Sequence, residues 1–449
     1  MGTRKAQSMK LKIENIGMIR SADIKLDGLT VIAGENDTGK STVGKLIFSV
    51  VKAFNRYEED FNESKNSRVF DLIEKIYFKL RKTEDWSDGI IAQQEFHPKS
   101  FFKELRENQG VELDSLINEK ITILKTFEET ENIEKSINQL QMINEILQKD
   151  EDKNTNIKRA LTKAFISEFY LDLSPKNSDV DSSINISEGN NNILDVQIND
   201  NIIKTLILHD DLSFNDATFI ETPIFLQMYD LIRSASTLFE IPEDKNERIS
   251  RMGRPTVALH TKDLVSKLEN AQYNYPFQET IFSFKSVSET SLIDEIFKIT
   301  KGMGFSFDRK EKDFYFNKNE NTKFKSINTA TGLKSFGIIQ LLIQADLLDE
   351  RSLLIIDEPE IHLHPKWQVE YAKLIVALVK NDIPVLITSH SPEIIQALSV
   401  FSEEFGIQDR TAFYLTESDG VSSQINDVTD DINKIFTTLA EPLHNLVWG

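Results

Sequence analysis

The feature that most constrains this chain is the run Gly34–Thr42, which reads Gly-Glu-Asn-Asp-Thr-Gly-Lys-Ser-Thr and fits the pattern G-x-x-x-x-G-K-[ST] in full. The apolar stretch before it, Leu29–Ala33, predicts a buried strand, and Ser41–Phe54 predicts a helix. A glycine loop between a strand and a helix lets successive N–H groups face phosphate oxygens, and the helix adds its positive N-terminal end. The motif therefore predicts a phosphate-binding loop.

Each side chain of this loop has an expected partner on ATP or on Mg²⁺. Lys40 is predicted to bridge the β and γ phosphates, and the Ser41 hydroxyl is predicted to bind the metal. The predicted nucleotide-binding residues of the loop are Gly34, Asn36, Thr38, Gly39, Lys40, Ser41 and Thr42.

Two acidic residues follow a second apolar strand, predicted over Leu353–Ile356. At the end of that strand Asp357 can reach the metal, usually through water, and Glu358 can act as general base on an attacking water molecule. A strand that ends in a solvated turn would look similar, but the phosphate loop elsewhere in the chain favours the catalytic interpretation.

A third motif opens the helix predicted over Leu333–Leu348, immediately before the acidic strand. Thr331 is predicted to cap the helix, and Gly332 leaves N–H groups open for a phosphate. The same residue pattern would also suit an ordinary capped helix. Its position directly before the acidic strand favours a functional element over an ordinary cap.

A single histidine, His390, follows the strand predicted over Pro384–Thr388. This strand is separated from Glu358 by a helix predicted over Lys366–Val379. Isolated histidines are usually structural, but one at the end of a buried strand can contact the γ-phosphate and the attacking water. We therefore predict that His390 is catalytic.

The alternation of strands and helices predicts an α/β fold with a mixed β-sheet. Because the predicted strands come from both ends of the sequence, the middle is an insertion. We expect residues 1–55 and 216–449 to form one nucleotide-binding domain, and residues 56–215 to form a mainly helical insertion with a β-hairpin. Leu113–Phe127 and Ile133–Leu147 have helical spacing, which fits an ordinary helical subdomain or a short coiled-coil arm.

Weaker patterns predict the remaining elements. We expect an antiparallel strand pair in Lys10–Leu26, a loop over Asn177–Asn192, a hairpin over Ile193–Leu208, a strand over Ala217–Glu221, a helix over Pro223–Leu238, a polar connection over Glu240–Pro255, a second hairpin over Gly304–Ile327 and a helix over Glu393–Leu398.

Composition excludes several kinds of chemistry. The chain has no cysteine, which rules out disulfides, thiolate zinc sites and cysteine nucleophiles and suits the cytoplasm. It has no apolar run long enough to cross a membrane, so we expect no membrane partner. The net charge of −20 lowers the expectation of tight duplex binding, although a local basic patch would still permit it.

The set of motifs resembles the ABC-type ATPases of the SMC, RecF and OLD group, over roughly residues 10–55 and 215–400. In that family two nucleotide-binding domains sandwich ATP head to tail. The resemblance implies that Thr331, Gly332 and Lys334 complete the site of a second copy. The run Thr-Gly-Leu-Lys departs from the Ser-Gly-Gly-Gln of transporters, which fits the soluble members.

The family also places a glutamine near Mg²⁺ and a dimer-facing loop after the acidic strand. Gln227 is the expected glutamine, and Gln93 and Gln94 are second choices. Pro359–Pro365 takes the place of the dimer-facing loop.

Two biological roles fit this resemblance. Only 59 residues follow His390, too few for the Toprim domain of OLD nucleases, so we expect no nuclease in this chain. The motifs resemble the ATPase subunits of antiphage systems such as Septu and PARIS, whose separate nucleases are of HNH and Toprim type. This implies an ATPase that controls a partner nuclease. The alternatives are a RecF-like DNA-repair ATPase that binds DNA directly and a nucleotide-binding scaffold with little turnover. Assembly beyond a dimer stays open.

Overall fold

The computed structural model describes residues 9–81, 86–108, 110–127, 130–148, 152–170, 172–175, 180–237, 256–270, 298, 304–308, 311, 313–319, 322–361 and 363–448. The strands are β1 Met9–Ile16, β2 Ile19–Leu26, β3 Leu29–Ala33, β4 Ser182–Glu188, β5 Asn191–Asn199, β6 Ile202–Leu208, β7 Asp216–Ile220, β8 Ser236–Thr237, β9 Thr256–Val257, β10 Gly304–Asp308, β11 Asp313–Asn319, β12 Thr322–Lys325, β13 Ser352–Asp357, β14 Val385–Ser389, β15 Thr411–Ser418 and β16 Ser423–Asp427.

The helices divide between the two ends of the chain and its middle. They are α1 Lys40–Leu80, α2 Trp86–Glu95, α3 Pro98–Glu107, α4 Val111–Leu124, α5 Glu131–Gln148, α6 Lys153–Phe169, α7 Tyr229–Ser234, α8 Leu259–Asn270, α9 Thr331–Gln344, α10 Pro365–Lys380, α11 Pro392–Glu404 and α12 Asn433–Trp448, with short 3₁₀ turns such as Pro223–Gln227. None of the helices among the described residues is both long enough and apolar enough to cross a membrane.

Eleven of the described strands form one sheet, in the order β6-β5-β4-β1-β2-β16-β15-β3-β14-β13-β7. The strands from β15 to β7 in that order run parallel, and most of the others pair antiparallel. The predicted α/β fold with a mixed sheet is therefore confirmed. In its parallel part every residue of β3, β13 and β14 is buried, as expected for strands covered on both faces.

The parallel strands bring the predicted site residues to one edge. Loops that follow β3, β13 and β14 leave the sheet at the carboxyl ends of these strands, where ligands bind in open α/β sheets. The phosphate loop follows β3, the acidic pair ends β13, and His390 follows β14.

The chain divides into two compact units, residues 1–55 with 161–449, and residues 56–160. The described residues of the second unit form helices joined by turns and short connections, with an apolar core that includes Ile73, Phe101 and Leu140. The expected insertion extended to residue 215. However, β4 pairs with β1, and β5 and β6 continue the same sheet, which is why residues 161–215 belong to the first unit.

Three local predictions need correction. Part of the expected loop Asn177–Asn192 is strand β4, because Ile184 and Ile186 alternate with polar residues and enter the core. The expected helix Pro223–Leu238 is a 3₁₀ turn followed by the short α7 and β8, because Ala235 is extended and ends the helix. The expected hairpin Gly304–Ile327 has three strands, β10 to β12.

Two other predicted segments give different outcomes. The first helix is longer than expected, since α1 continues from Lys40 to Leu80. The polar connection predicted over Glu240–Pro255 lies outside the described residues.

Candidate functional site

The phosphate loop has a backbone that only glycine fits at its first position. Gly34 lies at a φ of 152°, and a Cβ there would come within 1.8 Å of the Thr416 Oγ1. Gly39, at a φ of 86°, closes the loop before α1, and a Cβ on it would lie 2.6 Å from Ile19. These close approaches explain why the motif requires glycine at both positions.

Two residues from β15 and β16 support the loop from below. The Thr38 and Thr416 hydroxyls are hydrogen-bonded at 2.7 Å, and the Ser423 hydroxyl donates to the Thr38 carbonyl at 2.7 Å. All three side chains are buried. Sequence reasoning does not find Thr416 and Ser423, since both lie more than 370 residues from Thr38 along the chain.

Lys40 lies across the loop rather than pointing into solvent. Its ammonium donates to the Glu35 carbonyl at 2.6 Å and lies 3.9 Å from the Glu358 carboxylate. Burial lowers the pKa of Lys40, although Glu358 and Asp357 act in the opposite direction. A buried cation near an otherwise polar loop is suited to polyphosphate, which would replace the carbonyl contact.

Ser41 and Asp357 meet as the motif predicts. The Ser41 hydroxyl donates to the Asp357 Oδ1 at 2.9 Å, and the Thr388 hydroxyl donates to the same oxygen. Burial raises the pKa of Asp357, and these two hydrogen bonds oppose the increase. A hydroxyl and a carboxylate oxygen at one point are ligands that Mg²⁺ accepts together with phosphate and water, so this pair fits the expected metal.

Glu358 has an unusual backbone for a residue with a side chain. Its φ is 45°, in the left-handed region, and its N–H donates to the Thr388 carbonyl at 3.1 Å. Conformations of this kind cost about 1–3 kcal/mol and persist where the surrounding structure enforces them, often at functional sites. The Glu358 carboxylate also lies 3.6 Å from the His390 Nδ1, so the predicted base and the predicted catalytic histidine are neighbours.

A residue that the sequence did not single out holds the histidine loop. Glu360 is buried, and its Oε1 accepts hydrogen bonds from the Ser389 hydroxyl at 2.8 Å, the His390 N–H at 2.7 Å and the Ser391 N–H at 3.2 Å. Burial raises the pKa of Glu360. In the sequence Glu360 is visible only as the third acid of the run Asp-Glu-Pro-Glu. Its hydrogen-bond partners lie about thirty residues further along the chain.

The remaining predicted residues of the phosphate loop and the predicted glutamines are exposed or half-buried. Asn36 is exposed in the loop, and Thr42 is half-buried at the start of α1. Gln227 is exposed at the end of the 3₁₀ turn Pro223–Gln227. Gln93 and Gln94 are exposed on α2, in the helical unit.

The structure also places an acidic residue, Glu221, at the site edge. Glu221 directly follows β7, and Ile220 of that strand is the register partner of Ile356. The next position on β13 is Asp357. Glu221 therefore lies beside the predicted metal residue.

The N-terminus of α9 is open. The helix begins at Thr331, so Ala330 rather than Thr331 is its N-cap, and no described side chain caps it. The prediction that Thr331 is the cap is therefore wrong. The Thr329 hydroxyl instead donates back to the Lys325 carbonyl. Uncapped N–H groups at a helix start are an anion-binding arrangement.

Lys334 lies one turn into this helix and is fully buried. Its ammonium has no hydrogen-bond partner among the described residues, and burial lowers its pKa. Its side chain therefore does not project into solvent, as a direct contact with a second copy would require.

Comparisons with known proteins identify the family. A protein-family model described as an AAA ATPase domain matches residues 9–395. A stretch of 55 residues is 42% identical to the Septu protein PtuA of Bacillus thuringiensis and covers 12% of this chain. The chain spans only 13% of the length of that relative.

Two solved structures are similar over most of the chain. The SMC head domain from Thermotoga maritima has 10% identity and a TM-score of 0.38, and covers 94% of this chain and 99% of its own. An Smc head domain with an extended coiled coil, bound to the C-terminal domain of ScpA derived from Pyrococcus furiosus, has 10% identity and a TM-score of 0.41 and covers 98% and 100%. These are distant likenesses, and the family assignment rests on the family model.

Proposed function

The chain belongs to the AAA ATPase domain family, and we propose that it hydrolyses ATP between two copies of itself arranged head to tail. The observation that carries the proposal is the convergence at one sheet edge of Lys40, the Ser41–Asp357 pair and the Glu358–His390 pair. Together these groups provide a cation that can bind phosphate, a pair of side chains that can bind a metal, and a general base.

Each residue has a distinct part in the proposed reaction. The N–H groups of Gly34–Thr42 and the Lys40 ammonium would bind the phosphates, while Ser41 and Asp357 would hold Mg²⁺, which when bound would neutralise phosphate charge. Glu358 accepts a proton from the attacking water. His390 lies 3.6 Å from Glu358 and orients the γ-phosphate and that water.

The second copy would contribute the open N-terminus of α9. Thr331 and Gly332 present uncapped N–H groups there, which suit a γ-phosphate held by the loop of the other chain. Lys334 is buried within its own copy, so we assign it to the positive potential of that helix start rather than to direct contact.

We further propose that the nucleotide state controls a separate nuclease in a bacterial antiphage system. The support is the motif resemblance to Septu and PARIS ATPases, together with the short match to the Septu protein PtuA. A cytoplasmic location and the absence of nuclease chemistry in this chain belong to the same proposal.

The proposal expects a nuclease gene of HNH or Toprim type beside the gene for this chain, and co-expression of the two tests that role. The proposal expects both proteins to elute together in size-exclusion chromatography, with elution that changes on adding ATP and Mg²⁺. The Lys40→Ala variant is the control and should lose the response to ATP. Separate elution with and without nucleotide would refute nuclease control. Salt-dependent binding of duplex DNA by the chain alone would instead favour the RecF-like alternative.

A further inference from the structure

Glu221 occupies the position beside Asp357 at the end of the sheet. Strands β7 and β13 are parallel neighbours, with Leu354 opposite Thr218 and Ile356 opposite Ile220. Parallel strands in register direct side chains at matching positions to the same side. The carboxylates of Glu221 and Asp357 therefore leave adjacent strand ends in the same direction.

Helix α1 links these two carboxylates on the side of the phosphate loop. Ser41 donates to Asp357, and Lys45, four residues later on the same helix face, lies 3.3 Å from the Glu221 Oε1. Two residues one turn apart on α1 thus contact the ends of two neighbouring strands, β13 and β7. Glu221 flanks the proposed metal position, and its side chain is 43% exposed, so water can reach it.

A buried histidine fixes the other oxygen of Glu221. The His260 Nε2 lies 3.1 Å from the Glu221 Oε2, and the His260 Nδ1 lies 2.7 Å from the Glu168 Oε2. The other oxygen of Glu168 accepts the backbone N–H of His260 at 2.8 Å. Glu168 and His260 are buried, and the imidazole packs 4.8 Å from the Phe219 ring.

The protonation of His260 and Glu221 is consistent with the hydrogen bond between them. Burial lowers the pKa of His260, but hydrogen bonds to Glu168 and Glu221 outweigh burial and raise the pKa to about 9. The hydrogen bond from His260 lowers the pKa of Glu221 to about 2. At neutral pH the imidazole therefore donates from both nitrogens, and Glu221 carries a full negative charge.

We propose that Glu221 holds the water shell of the nucleotide-bound metal, at the place where a glutamine was expected, and that His260 and Glu168 are positioning residues for it. Both Glu221 oxygens are engaged, by Lys45 and His260, which leaves the carboxylate to act through water. Partners of this kind around a metal typically change its affinity by about 10- to 100-fold. This inference rests on the proposed ATP site.

The test measures metal binding rather than turnover. Mn²⁺ replaces Mg²⁺, and electron paramagnetic resonance counts free Mn²⁺ in the presence of the full chain saturated with a non-hydrolysable ATP analogue. Glu221→Gln should weaken Mn²⁺ binding by about tenfold or more. His260→Gln should weaken it in the same direction by a smaller factor, because the carboxylate remains but loses its fixed orientation.

The matched control is Asp195→Asn. Asp195 lies on β5 of the same sheet, and its Oδ2 is 2.9 Å from the Nε2 of His209. The variant therefore also alters a carboxylate–histidine pair. It should leave Mn²⁺ affinity unchanged. The affinity for a fluorescent form of the analogue is also measured without metal. In every variant it should equal the wild-type affinity, which shows that each variant is folded.

Three outcomes would overturn the inference. Unchanged Mn²⁺ affinity in Glu221→Gln removes the metal function while leaving the ATP site intact. Equal losses in Glu221→Gln and Asp195→Asn indicate a general effect on the sheet. If wild type fails to bind the analogue at all, the proposed ATP site fails first, and this result is distinguishable because it appears without any substitution.

Discussion

The Glu360 Oε1 accepts the backbone N–H of His390 at 2.7 Å and lies 3.2 Å from the Nδ1 of the same histidine. The same oxygen accepts two further donors, from Ser389 and Ser391. One buried carboxylate therefore holds the conformation of the loop that carries the predicted catalytic histidine.

Glu360→Ala should reduce both stability and ATP hydrolysis. The substitution removes the acceptor of the Ser389 hydroxyl and of the His390 N–H, whereas the Ser391 N–H keeps the Ser389 hydroxyl as an acceptor at 3.0 Å. The loss should cost about 2–4 kcal/mol of unfolding free energy. Glu360→Gln keeps an acceptor of the same shape and should retain more of both. Urea unfolding and steady-state turnover measure the two effects. Glu393→Ala, at an exposed carboxylate that contacts Ser391 at 2.9 Å, is the control. Equal turnover in Glu360→Ala and Glu393→Ala would contradict this account.

Glu358→Gln should abolish hydrolysis without weakening ATP binding. The amide cannot accept a proton from water, and loss of a general base lowers turnover by about 100- to 10,000-fold. Its neutral side chain also removes a negative charge 3.9 Å from Lys40. Phosphate release and the affinity for a fluorescent ATP analogue are the measurements. Unchanged turnover would show that Glu358 is not the base.

Thr416→Ala should weaken nucleotide binding modestly. Thr416 is hydrogen-bonded to Thr38 at 2.7 Å and supports the loop beneath Gly34. Loss of one such hydrogen bond costs about 1 kcal/mol, or about a fivefold increase in the ATP dissociation constant. Ser418→Ala, two residues later on the same strand and exposed, should leave the constant at its wild-type value. A larger effect at Ser418 would argue against support of the loop by β15.

Asp216→Asn should destabilise the ATPase unit through a buried ion network. Asp216 lies 2.5 Å from the Lys52 ammonium and 2.6 Å from the Lys267 ammonium, and Asp263 contacts both lysines. Loss of these charged hydrogen bonds should cost about 1.5–3 kcal/mol in urea unfolding. Asp230→Asn, at an exposed position of α7, should have little effect.

The pH dependence of that cost follows from the pKa of Asp216. Burial raises this pKa, but Lys52 and Lys267 outweigh burial and hold it below its usual value of 3.8. A lowered folded-state pKa contributes stability that is complete above the unfolded pKa and is lost only as pH falls through the folded value. The difference between wild type and Asp216→Asn should therefore be the same at about pH 8 and about pH 5.5. A difference that already shrinks at the lower of these would contradict the ion network.

The sequence predicted the parallel part of the sheet well because its strands are short, continuous apolar runs. Leu29–Ala33 is a strand at its predicted bounds, and the strand predicted over Leu353–Ile356 extends by one residue at each end, so that Asp357 is its last residue. The sequence does not predict strand β4 because only two of its residues, in Ser-Ser-Ile-Asn-Ile-Ser-Glu, are apolar. Pairing with β1 nevertheless buries every second residue of the strand.

The site was predictable where a motif is local. Lys40, Ser41, Asp357, Glu358 and His390 lie together, although their individual functions remain predictions. The sequence does not predict a site function for Thr416 or Glu221, because each is brought to the site by contacts with residues far away in the sequence. Chain position alone predicts Gln227, which ends the 3₁₀ turn Pro223–Gln227, whereas Glu221 directly follows β7.

Complementation between two inactive variants tests the two-chain ATP site most directly. Lys40→Ala removes the lysine that binds the phosphates, and Gly332→Glu places a negative charge in the first turn of α9, where it should repel the phosphate of the other copy. Each variant alone should be inactive. Mixed in equal amounts, they should recover about a quarter of wild-type turnover, since half of randomly paired dimers are mixed and each has one intact site of two. A mixture that stays inactive, or a Gly332→Glu variant that is active alone, would contradict the head-to-tail ATP site.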